Sequence, residues 1–183
     1  AAVAIKLPEL IGYHIATSDG LSFFYLRNFS FFSLSFLSIY FAWKRGLNHV
    51  NIIWLAASFT GGALILNLIP ERGEGHTLIL AALHLPIALW LAVGFAYTAG
   101  RWRDHGQRMN FIRFTGEWFI YYALIALGGG VLIMSVIFTF ESIGINVEET
   151  MGLWVMPCGA MGAFLISSWL VEAKQSIIEN MAP

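Results

Sequence analysis

The residues most able to do chemistry are few. His84 and Pro86 lie two apart in "LHLP", inside a stretch from Thr77 to Ala99 that holds no Asp, Glu, Lys or Arg. An imidazole at membrane depth can accept a proton, ligate a metal or hydrogen-bond the carbonyl that a proline leaves without its donor. A bis-histidine haem would need a second imidazole at similar depth, whereas His14, His49, His76 and His105 all fall in links or in the terminal segment. Glu71, Glu74 and His76 in "ERGEGH" place two carboxylates and an imidazole within reach of a divalent cation, although a link this polar ordinarily just meets water. The single cysteine, Cys158, follows Pro157 and has no basic neighbour in sequence to activate it. One thiol makes neither a disulfide nor a multi-thiolate metal site. There is no nucleophile elbow, no zinc-protease motif and no phosphate loop, so no catalytic residue, metal or other cofactor is assigned.

The elements that would position these residues are membrane helices. Of the 183 residues 58% are apolar and 11% charged, against about 25% charged in soluble domains. The net charge of −1 leaves no basic face for nucleic acid. Uncharged runs predict an all-α integral membrane bundle with five spans, near residues 21–43, 50–69, 77–99, 118–140 and 151–171. The first is reached by extending Phe29–Trp43 backward, which carries Arg27 and Asn28 into the helix, with Arg27 expected to snorkel to the head groups. Residues 1–20, with Pro8, Gly12 and Gly20, read as an interfacial segment or the end of an upstream helix. Tryptophan and tyrosine gather near the predicted ends, as in an aromatic belt.

Charge in the links sets the expected threading. Lys44 and Arg45 occupy the first link, Arg101, Arg103, Arg108 and Arg113 the third, and Lys174 the tail, so seven of the ten cations fall on one side. The fourth link, "ESIGINVEET", carries three glutamates and no cation. By the positive-inside rule the links of the first group and the tail at 172–183 are cytoplasmic and the N-terminus is outside. That threading, with no initiator methionine or signal peptide, suggests a segment of a longer membrane protein. The third link also suits anionic head groups or a partner domain, or is plain topological charge, and Arg113 and Glu117 have i,i+4 spacing.

Within the spans, "EWFIYYALIALGGGVLIMSVIFTFE" sets Gly128, Gly129 and Gly130 at mid-helix, where glycine costs roughly 1 kcal/mol relative to alanine in water. One account is close helix packing, with Gly61 and Gly62 in the second span and the small-xxx-small pair Gly159 and Ala163 in the fifth as partners. The other is a broken or kinked helix whose freed backbone groups line a polar site, with His84, Pro86 and Asn67 converging on it. Polar residues in the spans are sparse, which argues against a charged substrate carried by this segment alone.

The stretches "RMNFIRFTGEWFIYYALIALGGGVLIM" and "PCGAMGAFLISSWLVEAKQSIIENMAP", and more loosely "YLRNFSFFSLSFLSIYFAWKR", resemble a bacterial multi-pass inner-membrane family known only as domain of unknown function 4153, with a permease-like label. The resemblance implies a bacterial inner (plasma) membrane location and longer relatives, but no reaction and no catalytic residue. The expectation is a transport-related or permease-like domain. The competing expectation is a non-transporting structural or assembly subunit. In either case the partners are the lipid bilayer and other helices, from the same longer chain or from other membrane subunits.

Overall fold

A computed structural model describes residues 1–17, 20–68 and 77–181. Apart from two two-residue strands, β1 (Ala16–Thr17) and β2 (Gly20–Leu21), the described elements are helical, so the all-α class holds. In order they are a 3-10 helix at Ala4–Ile11, α1 (Phe23–Asn28), α2 (Phe31–Lys44), α3 (His49–Leu68), α4 (Thr77–Tyr97), α5 (His105–Glu141), α6 (Glu148–Thr150), a π-helical turn at Met151–Val155 and α7 (Met156–Met181). The chain forms two compact units, one of Thr17–Ile112 and one of Ala1–Ala16 with Arg113–Pro183.

Among the described residues four helical stretches are long and apolar enough to cross a membrane: His49–Leu68, Ile79–Tyr97, His105–Glu141 and Glu148–Gln175. The expected first span is not one of them. It is split at Phe29 and Ser30 into α1 and α2, and the 14 residues of α2 reach only about 21 Å of the roughly 30 Å core. No glycine or proline causes the split. At the split the Phe32 N–H bonds Phe29 O, a tighter i to i+3 turn than the α-helix makes, and the Asn28 amide donates to the Phe24 carbonyl four residues back. Arg27 departs from expectation too, since its Nε and Nη2 are buried rather than snorkelled to the surface.

In the first unit α4 is the helix on which the others pack. It touches both α2 and α3, which touch each other less. Leu89, Val93, Ala96 and Tyr97 are buried along α4, and Leu34, Leu37 and Phe41 along α2, the i, i+3/i+4, i+7 stripes of two apposed helices. The Tyr97 ring stands edge-on to Phe41 at 5.1 Å. Beyond α4, Phe111 sits among Trp90, Tyr97 and Trp102, with ring centroids 5.6 to 6.1 Å away.

α5 begins far earlier than the span predicted at 118–140, because Asp104 caps it. Its Oδ1 accepts the Gly106 N–H at 2.8 Å and the Gln107 N–H at 3.4 Å, so part of the third link is helix rather than loop. In the second unit the base of α5 is tied to α7. Trp118 Nε1 donates to Phe164 O at 3.1 Å, the two rings meet at 4.6 Å, and Lys174 Nζ donates to Glu117 Oε2 at 3.3 Å. The π-helical turn lies just before Pro157, whose missing N–H and ring displace the regular i to i−4 ladder. The N-terminal 3-10 helix rests against the α7 side through Lys6, which is buried, pairs with Glu9 at 2.7 Å and lies 4.5 Å from the centroid of Trp154.

Candidate functional site

The glycine triplet sits in an unbroken helix. α5 runs continuously through Gly128, Gly129 and Gly130, so the broken-helix expectation finds no break there. A methyl group added at any of the three would meet nothing within 4 Å. Around them Leu124, Leu127, Val131, Leu132 and Phe138 are all exposed, Leu127 at 70%. Within the second unit, neither Gly159 nor Ala163 therefore comes within 4 Å of the place a side chain would take at the triplet. Gly61 and Gly159 are open as well. Gly62 does mark a close approach, since an added Cβ would lie 3.0 Å from Leu85 Cδ1, where α3 crosses α4. Ala163 is buried in α7, and its carbonyl accepts the Ser167 hydroxyl at 2.6 Å.

His84 lies on an exposed part of α4, and its Nδ1 is 2.8 Å from Leu80 O. The carbonyl that Pro86 deprives of a donor belongs to Ala82, four residues before it, so the imidazole serves a different carbonyl from the one expected. α4 nevertheless stays helical through Pro86. Pro86 helps line an apolar cavity of about 370 Å³ with Tyr25, Phe29, Ser30 and Leu83, at the α1–α2 break. Asn67 does not converge on His84 either. It exchanges hydrogen bonds with Asn28, Nδ2 to Oδ1 at 3.0 Å in one direction and 3.2 Å in the other. Each amide also donates to a carbonyl of its own helix, Ala63 for Asn67 and Phe24 for Asn28, so the pair is a polar clamp between α1 and α3. Glu71, Glu74 and His76 lie outside the described residues, and among the described residues no three His, Cys, Asp or Glu side chains form a metal site.

One end of the first unit collects its positive charge. The Arg45 guanidinium stands 4.6 Å from the Tyr97 ring, and Gly100, at φ +74°, abuts Asn51, so the ends of α2 and α4 and the start of α3 meet. Lys44, Arg45, Arg101 and Arg103 are exposed at this end beside one carboxylate, Asp104. The first and third links, grouped by charge in the sequence, are thus grouped in space. Arg113 and Glu117 keep their helical spacing, and Glu117 pairs with Lys174 at 3.3 Å.

Two close-packing glycines were not singled out in the sequence. A Cβ at Gly94 would fall 2.5 Å from the Phe111 ring, and one at Gly100 would collide with Asn51. Neither belongs to a glycine run, although Gly94 with Thr98 and Ala96 with Gly100 have the small-xxx-small spacing. Gly94 also stands between bulky neighbours in "AVGFAY". Comparison with protein-family models, curated proteins and solved structures finds no match. No family, activity or substrate is drawn from those comparisons.

Proposed function

We propose that this chain is a helix-docking domain of an integral membrane protein, a structural or assembly component whose α5 receives a helix from outside the described residues. One observation carries the proposal. Three consecutive glycines occupy a continuous helix, and a Cβ added at any of them would meet no atom of the described residues within 4 Å beyond their own helix backbone and chain neighbours. Glycine lowers helix stability, and lipid tails fill space beside any side chain, so in a bilayer glycine is favoured where another backbone must come close. The cationic end faces the cytoplasm of a bacterial inner membrane in this reading, which rests on the positive-inside rule and the family resemblance. Replacing Gly129 by Ile tests it. The melting temperature of the purified protein should hold, while the particle solubilised in mild detergent becomes smaller on a native gel. An unchanged particle refutes docking at the triplet.

A transport-related, permease-like role is the second reading, favoured by the α1–α2 break with its cavity beside Pro86, because discontinuous helices build sites at membrane depth. It calls for flux in reconstituted vesicles that falls when Leu83→Trp fills the cavity. Flux untouched by that substitution removes it.

A further inference from the structure

The 3-10 helix at Ala4–Ile11 carries its charge on the protein side. Its charged residues are Lys6 and Glu9 alone. Lys6 is 5% exposed, pairs with Glu9 at 2.7 Å and stands 4.5 Å from the centroid of the Trp154 ring in the π-helical turn. Val3, Leu7, Leu10 and Ile11 form the outer side, 56 to 82% exposed. In water the polarity of such a segment is reversed, with the ammonium solvated and the large apolar side chains covered. A cation folded beneath an apolar outer side suits a segment whose surroundings are hydrocarbon, because the carboxylate and the aromatic face then supply what lipid cannot.

Two contacts within the second unit set the depth and tilt of this segment. A Cβ added at Gly162 would lie 3.7 Å from the Ala2 side chain, and Lys6 reaches Trp154. Gly162 is at the centre of the candidate span Glu148–Gln175, and Trp154 is near its start. Four residues of the segment thus accompany eight of the span, so the two run antiparallel and steeply instead of crossing. At about 2 Å per residue the eight residues of the 3-10 helix climb about 16 Å, half of the roughly 30 Å hydrocarbon core. Gly12, at φ +92°, ends the helix, and the exposed Tyr13 and His14 follow where head groups begin. We infer that residues 1–11 insert into one leaflet as a half-membrane element, from the midplane at Ala2 to the head groups at Ile11. Val3, Leu7 and Leu10 meet acyl chains, and Glu9 and Trp154 hold Lys6 on the protein side. Of the two sequence expectations for this region, the one of a segment lying in the interface falls. The inference rests on contacts with α7 and the π-helical turn and does not depend on docking at α5.

The test is site-directed spin labelling of the full chain in phosphatidylcholine vesicles, with Cys158→Ala so that each protein carries a single thiol. Nitroxides on Val3→Cys, Leu7→Cys and Leu10→Cys replace exposed side chains and should leave the melting temperature unchanged. Oxygen concentrates in hydrocarbon and a nickel chelate stays in water, so the ratio of the two collision rates reads depth. It should be highest at Val3, intermediate at Leu7 and lowest at Leu10, a depth change of about 14 Å over seven residues. Lys6→Asp leaves two carboxylates and no cation in the leaflet, and in that background the gradient should be lost as the segment moves to water. A low and equal ratio at all three positions means a segment lying flat in the interface and overturns the inference. Loss of oxygen collision at all three means that protein covers the outer side, and overturns it too. So does a gradient that Lys6→Asp leaves untouched.

Discussion

Gly94 in α4 and Gly129 in α5 are the same residue in stretches of nearly the same mean hydropathy, 2.1 and 2.3, yet their surroundings are opposite. At Gly94 the Phe111 ring occupies the place a side chain would take. At Gly129 that place is open. The first glycine is explained inside the chain, by an aromatic ring that needs the room. The second has no such neighbour among the described residues, which is why its function is sought in a helix that comes from outside them. Composition and glycine count cannot separate the two cases, because what differs is the neighbour across the gap.

Four substitutions break or sharpen that contrast. The largest effect is expected from Phe111→Ala, which empties the space between Trp90, Tyr97 and Trp102. A buried phenylalanine replaced in this way costs about 3 to 5 kcal/mol, so the first unit should lose its cooperative thermal transition in detergent. Next comes Gly94→Val. The Phe111 ring must move or the helix shift, at about 1 to 3 kcal/mol, and the double variant with Phe111→Ala should recover part of the loss. Asn67→Leu breaks the clamp with Asn28, and interhelical hydrogen bonds of this kind contribute about 0.6 kcal/mol on average in membranes, so a small fall in melting temperature is expected. Smallest and opposite in sign is Gly129→Ala. With nothing for the methyl to strike, the isolated protein should gain about 0.5 to 1 kcal/mol from helix propensity. A destabilised Gly129→Ala protein would mean that the triplet is already packed, and the contrast with Gly94 would collapse.

The helical class and the four long spans were legible in the sequence because uncharged runs of membrane length leave few alternatives for backbone hydrogen bonds. Positive charge in the first and third links likewise anticipated that those links share one end of the first unit. The split at Phe29 and Ser30 was not legible, since neither residue is a helix breaker. The early start of α5 had a readable signal in Asp104, a capping residue followed by Gly106 and Gln107, but the density of charge around it favoured a loop reading. Among candidate residues, Gly62 was expected to pack against the glycine triplet, and its close neighbour is instead Leu85 of α4. His84 likewise has another neighbour: sequence spacing suggested the carbonyl freed by Pro86, whereas an imidazole at that position reaches the Leu80 carbonyl one turn before its own residue. Gly94 was missed because a single glycine becomes informative only once Phe111, from another helix, is known to stand opposite.

The central claim, that a helix from outside the described residues lies against the glycine face of α5, is tested most directly by photocrosslinking in native membranes. A photoreactive side chain at Leu132 sits about one turn from Gly128 and Gly129, and the same group at Phe138, nine residues beyond Gly129, faces roughly the opposite side. The prediction is an adduct at Leu132 that maps to an apolar helical peptide, is absent from Phe138, and disappears with Gly129→Ile. Lipid adducts alone at both positions, or a peptide adduct that persists in the Gly129→Ile protein, would contradict it.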